Sequence, residues 1–190
     1  MKNSFSPLEL PIVQRVIHST GDFSFEDTIR FHPGAIEKGI EAIREGKSIF
    51  VDVKMLEAGI NKRLLSQFGG KVICYISDRK VVQAAAVRGL TRAETAVEIL
   101  FSDDGVLSGV GIVAIGNAPT ALLKLIELFK SGAKSPPLIV GTPVGFVNAA
   151  ESKDMLANTD FPFITCLGRK GGSSIAVAIV NALLKLSLPN

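Results

Sequence analysis

The chain has 190 residues, 47% of them hydrophobic and 21% charged, with a formal net charge of +3. That composition suits one domain with a sizeable core and excludes a disordered chain. No apolar run reaches the roughly 18 residues of a membrane span, and the mild positive charge, with one Tyr and no Trp, carries no nucleic-acid signature.

Taken in chain order, MKNSFSPLELP lacks the apolar segment of a secretory signal, so a cytoplasmic location is expected. A helix is predicted over residues 8–18. A polar segment follows, then FHPGAIEKGIEAIREGK, where Ile36, Ile40 and Ile43 recur at helical spacing. Pro33 suits the first turn of that helix and Gly46 its C′ stop. SIFVDVKM (48–55) and KVICYIS (71–77) are short β-branched runs and read as strands. VVQAAAVRG and TRAETAVEILF read as helices, the second opened by a Thr91–Glu94 capping box.

The second half repeats an apolar strand, a glycine turn and a helix three times: GVGIVAIGNAPTALLKLIELFKSG, PPLIVGTPVGFVNAAESKDML and FPFITCLGRKGGSSIAVAIVNALLKL. Alternating strands and helices imply βαβ units. The expected fold is one α/β domain over 1–190, a largely parallel sheet flanked by helices on both faces. Ligands of such sheets sit beyond the carboxyl ends of the strands. Those ends are the loops 116–120, 141–146 and 168–173, joined by DVKM, and glycine loops leading into helices offer backbone N–H groups to an anion. The same glycines could simply make tight turns.

Several chemistries lack their motifs. GRKGGS misses the P-loop spacing, GTPVGF misses the dinucleotide order, and no G-x-S-x-G elbow is present. The two histidines are far apart and neither cysteine has a C-x-x-C partner, so no metal site is expected. Cys74 and Cys166 read as small buried hydrophobes of a reducing compartment. Histidine changes protonation near neutral pH, and His18 has Arg15 one turn before it on the same helical face, where a guanidinium can hold a carboxylate beside the imidazole. Packing and proton handling both remain open for His18. His32, in FHPG, reads as structural, and Glu151 and Lys153 of AAESK as an exposed pair.

RVIHSTGD, IFVDVKMLEAGI, LTRAETA, VAIGNAPTALLKLIEL, IVGTPVGFVNAAESK and GRKGGSSIAVAIVNALL, in this order, resemble the precorrin-8X methylmutase family from about residue 12 to residue 184. The resemblance implies an α/β homodimer of cobalamin biosynthesis without a cofactor. It implies a methyl migration from C-11 to C-12 of a tetrapyrrole, precorrin-8X or cobalt-precorrin-8, giving hydrogenobyrinic or cobyrinic acid. His18 then stands at the catalytic histidine and Arg15 at a substrate-binding arginine. Thr91 and Arg92 of LTR, Asp52 and Met55 of DVKM, and the Gly116-Asn117 and Gly145-Phe146 backbones line the substrate site. Family members carry a longer stretch before the histidine, with a serine that touches substrate. Seventeen residues precede His18 here, so that contact is expected to be missing or supplied by another group. A non-catalytic tetrapyrrole carrier on the same fold is the alternative, and it would need the bowl but not the histidine.

Overall fold

The computed structural model describes residues 4–102 and 104–189. Six strands, β1 (Ile29–Phe31), β2 (Ser48–Val51), β3 (Val72–Ile73), β4 (Val110–Ile115), β5 (Leu138–Gly141) and β6 (Phe163–Cys166), form one sheet in the order β1-β6-β5-β4-β2-β3. All neighbours run parallel except β1, which lies antiparallel to β6. The chain opens with helices α1 (Glu9–Thr20) and α2 (Phe25–Thr28), and α3 (Ala35–Arg44) joins β1 to β2. α4 (Lys54–Gly59) and α5 (Lys62–Gln67) lead to β3; α6 (Arg79–Arg88), α7 (Arg92–Ser102) and α8 (Asp104–Ser108) lead on to β4. α9 (Pro119–Lys130), α10 (Ala149–Ala157) and α11 (Ser173–Leu186) each follow one of the last three strands.

Strand alternation divides the core into two layers. Ile49 and Val51 of β2, Ile112 and Ala114 of β4, and Leu138 and Val140 of β5 pack on one face with α1, α3, α4 and α11. Phe50, Val113, Ile115 and Ile139 point the other way, into a layer with α6, α7 and α9. Every residue of β4, β5 and β6 is buried, as a parallel sheet covered on both faces requires. No helix among the described residues is long and apolar enough to cross a membrane.

The expected α/β sheet with helices on both faces is present, and its details differ in four places. β1 falls in the segment read as polar; three residues pairing on an edge leave almost no periodic signal. The strand read over 48–55 stops at Val51, and Lys54 and Met55 already belong to α4. The strand read over 71–77 shortens to two edge residues. Pro33 precedes its helix, which starts at Ala35 after a left-handed Gly34 (φ 74°). Gly46 does end that helix, with φ 75° one residue past the cap.

β2 leads outward to β3, whereas β4 crosses to the other side of β2 and the chain then continues outward through β5 and β6. The strand order therefore reverses between the carboxyl ends of β2 and β4. Such a switch point is where doubly wound sheets open a crevice for ligands.

Candidate active site

α1 is amphipathic: Ile12, Val13 and Val16 are fully buried, and the helix packs along α11. It ends at Gly21 in the left-handed region (φ 66°), whose N–H bonds the Ile17 carbonyl. Ser19 Oγ and Thr20 Oγ1 both donate back to the Val16 carbonyl, at 3.0 and 2.9 Å, and close the last turn. Arg15 and His18, three residues apart on one face, line a groove of ≈ 440 Å3 with Gln14 and, from α11, Ala182, Lys185 and Leu186. Among the described residues, no acidic side chain lines it. His18 is exposed; Arg15 is half-buried, and its Nε is buried with no hydrogen-bond partner among the described residues. An ordinary structural arginine would be paired there, because a desolvated guanidinium N–H without an acceptor costs about 1–3 kcal/mol. The groove is thus a cationic strip with a histidine at its rim. Lys185 is the one charged residue of α11, and its place three residues after Ala182 puts it on the face that meets α1.

At the switch point the expected anion cradle is already occupied by the protein itself. Asp52 follows β2 and is fully buried. Its Oδ1 accepts the Gly116 N–H at 3.0 Å, and its Oδ2 accepts those of Asn117 and Ala118 at 2.9 and 2.8 Å. Ala118 is the N-cap of α9, so the carboxylate sits where a helix N-terminus favours an anion. Burial pushes the Asp52 carboxyl up from its ordinary range, and the three N–H donors pull it back in part. Gly116 is required for closeness: a Cβ there would lie 2.9 Å from Ser173 Cα and 2.8 Å from a Leu56 methyl. The sequence reading places Asp52 and the Gly116-Asn117 backbone on the lining of the bowl, and the structure joins them to one another by hydrogen bonds. They face each other, because the buried carboxylate finds its solvation in those N–H groups.

The other two glycine loops are tied to each other. Gly145 N–H donates to the Arg169 carbonyl at 3.3 Å and Gly172 N–H to the Thr142 carbonyl at 2.7 Å. A Cβ on Gly171 would stand 2.5 Å from the Thr142 carbonyl oxygen, so only glycine lets loops 141–147 and 168–172 touch. Phe146 is 85% exposed, with the Arg169 guanidinium 6.0 Å from its ring centre. Met55, at the start of α4, is 73% exposed.

Thr91 Oγ1 accepts the Glu94 N–H at 3.1 Å, which is half of the expected capping box, and meets Thr120 Oγ1 at 2.9 Å. The Glu94 carboxylate turns instead toward Lys124. Arg92 begins α7, exposed. So the structure brings Arg15 and His18 into one groove, and leaves Asp52, Met55, Thr91, Arg92, Gly116, Asn117, Gly145 and Phe146 outside it.

Three further expectations are settled by burial and contacts. Lys153 is fully buried rather than exposed, while Glu151 is exposed. His32 Nδ1 lies 2.9 Å from the Pro33 carbonyl and its ring meets Phe163 edge-on, a packed role. Both cysteines are free, Cys166 buried and Cys74 half-buried. Among the described residues, no cluster of three His, Cys, Asp or Glu could hold a metal. Another cleft, of ≈ 790 Å3, opens at the amino ends of β4–β6, where Lys47 pairs with Glu45. It lies at the wrong end of the sheet for ligand chemistry and holds no histidine.

With that geometry in hand, similarity to known proteins becomes informative. The family model for precorrin-8X methylmutase matches residues 1–186. The cobalt-precorrin-8 methylmutase of Priestia megaterium is 49% identical over 180 residues, covering 94% of this chain and 78% of that protein. The precorrin-8X methylmutase of Pseudomonas aeruginosa is 43% identical over 171 residues, covering 89% and 80%. Among solved structures, the precorrin-8X methyl mutase of Thermus thermophilus superposes with a TM-score of 0.88 at 43% identity, covering 97% of this chain and 89% of that one. A match of this extent spans the whole sheet and both helical layers, and the chain belongs to the precorrin-8X methylmutase family of isomerases.

Proposed function

We propose that this chain isomerises precorrin-8X, or its cobalt form, by moving a methyl group from C-11 to C-12 of the macrocycle, with His18 as the proton-handling group. The observation that carries this reading is the Arg15 Nε, buried without a hydrogen-bond partner among the described residues, beside His18 in a groove whose described lining holds no acid. The substrate is an apolar disc fringed with carboxylates. One carboxylate on Arg15 supplies the missing acceptor and sets the disc edge against the imidazole. His18 exchanges a proton with the macrocycle as the conjugated bonds rearrange and the methyl group shifts. No atom or electron is gained or lost overall, and no cofactor takes part.

A groove of ≈ 440 Å3 embraces an edge of such a disc rather than the whole of it. A homodimer completes the enclosure in this reading, with the second copy closing over the disc and the exposed Met55, Arg92 and Phe146 contributing rim contacts. Thr91 orders the start of the helix that carries Arg92. Asp52, Gly116, Asn117 and Gly145 act from behind, as the supports of that rim.

The test is an absorption assay with precorrin-8X and, separately, cobalt-precorrin-8, comparing wild type with His18→Ala. Wild type converts at least one form with a spectral shift. The variant stays folded, still binds, and turns over slower by roughly 10²–10⁴, the range for loss of a general acid–base group. Binding without conversion by wild type would leave a carrier, and equal conversion by both proteins would remove His18 from the chemistry.

A further inference from the structure

The most unusual buried group outside the groove is Lys153. It sits on α10 with none of its side chain exposed, among the largest fully buried side chains of the protein. Its ammonium donates to the Lys170 carbonyl at 2.5 Å. No carboxylate pairs with it among the described residues. The Cys166 thiol donates to the same carbonyl at 3.4 Å. Burial pushes the lysine below its ordinary value, opposed by the nearby Cys166 and Asp154. A charge held this way is a poor stabilising device, since an apolar side chain of similar volume usually serves the fold as well or better. Its retention asks for a reason beyond packing.

The reason lies in what the Lys170 carbonyl belongs to. Loop 168–172 joins two regions, the loop that follows β5 and the segment that follows α1. Arg169 accepts the Gly145 N–H, which ties it to the loop carrying Phe146. Gly172 donates to Thr142 at the end of β5. The Lys170 side chain runs the opposite way, to Asp22 Oδ2 at 2.6 Å and Ser24 Oγ at 3.0 Å, in the segment that follows α1 directly. A peptide plane whose carbonyl is pinned has one orientation. Pinning it inward on Lys153 fixes where the Lys170 side chain leaves the backbone, and hence where it grips the end of the helix bearing His18.

We propose that Lys153 is a positioning residue for the isomerase. Its buried ammonium locks the 168–172 loop, which in turn holds both the Phe146 rim and the 22–24 segment behind His18. The link to catalysis rests on the isomerase reading above; the lock itself does not.

The experiment compares wild type with Lys153→Met, Lys170→Met and the double variant. Three quantities are read: thermal unfolding, amide hydrogen exchange, and steady-state conversion of the tetrapyrrole. Lys153→Met is expected to unfold at the wild-type temperature or above. Its amides in 168–172 and 20–24 exchange at least about tenfold faster, the mark of local opening without global loss. Its kcat falls by roughly 10²-fold, the scale of a misplaced catalytic group, with KM changing less. Lys170→Met, an exposed change that leaves the core untouched, loosens 20–24 in the same way. The double variant is no slower than the slower single, because both act through one loop.

A parallel fall in melting temperature and activity, with loop exchange at the wild-type rate, would overturn the proposal and make Lys153 a core residue only. Unchanged exchange and unchanged kcat would overturn it too. If wild type itself fails to convert the tetrapyrrole, the isomerase reading falls, while the exchange data still decide whether Lys153 locks the loop.

Discussion

Asp52 gives the sharpest test of how the sheet top is built. Its two oxygens divide the work: Oδ1 serves the Gly116 N–H, and Oδ2 serves those of Asn117 and Ala118. Asp52→Asn keeps the shape but can offer only one oxygen. With that oxygen toward Asn117 and Ala118, the new NH2 faces the Gly116 N–H, donor against donor. Gly116 is buried and cannot turn to water, so the expected cost is about 1–3 kcal/mol. Asp52→Ala strips all three donors of their acceptor and removes the anion from the α9 N-terminus. Exposed Asn117 can rehydrate, which limits the total to about 3–5 kcal/mol, the range for breaking one side of a buried charged interaction. For a domain of this size that corresponds to a fall of roughly 6–20 °C in Tm. Urea or thermal unfolding of the three proteins should give the order wild type, Asn, Ala, with clear gaps. An Asn variant as stable as wild type, or Asn and Ala variants within about 0.5 kcal/mol of each other, would refute the division of labour between the two oxygens.

Two further outcomes follow from charges elsewhere. The Asp22 carboxyl is lowered to about 2 from 3.8, first by its hydrogen bond to Lys170 and then by Ser24. Because the folded value is depressed, the contribution is complete above the unfolded value and disappears as pH falls from about 4 to about 2. Lys170→Met should return the Asp22 titration, followed by carboxyl-carbon NMR, toward 3.8 and flatten that part of the acid unfolding profile. Arg15→Met should leave Tm unchanged or raise it slightly, since the wild-type Nε has no partner to lose, while KM for the tetrapyrrole rises roughly tenfold or more, the scale of a lost charged contact. A loss of stability in Arg15→Met would show that the guanidinium serves the fold instead.

The parallel core was legible because its strands are buried on both faces and therefore read as unbroken apolar runs, as in GVGIVAI and PPLIVG. The Arg15–His18 pair was legible because helical spacing alone puts residues three apart on one face. The edge strands were not, since β1 and β3 are held by pairing partners remote in sequence rather than by their own pattern. The function of Asp52 was hidden for a related reason. An acidic residue after a strand looks like a ligand-facing group, and only the register of β2 on β4 shows that its carboxylate meets backbone N–H groups 64 to 66 positions away. Lys153 misled in the opposite direction: in AAESK it follows a glutamate and a serine, and nothing local reveals that its acceptor is the carbonyl of Lys170.

The same contrast separates charges that hold the fold from charges that await a partner. On the α6–α7–α9 face cations meet acids: Arg88 pairs with Glu98, and Lys124 lies within ion-pair distance of Glu94, Glu98 and Glu127. These pairs are exposed or half-exposed, worth little singly, and they account for themselves. On the α1–α11 face Arg15 and Lys185 share one groove with His18 and no acid. Two cations placed together without compensation repel each other, so folding alone gives no reason to keep them there. The net charge of +3 would be equally compatible with scattered solvated lysines. It is the local absence of acids around a buried, partnerless guanidinium nitrogen that points to an anionic ligand. In the proposed reading, a disc fringed with carboxylates meets that need at several points at once.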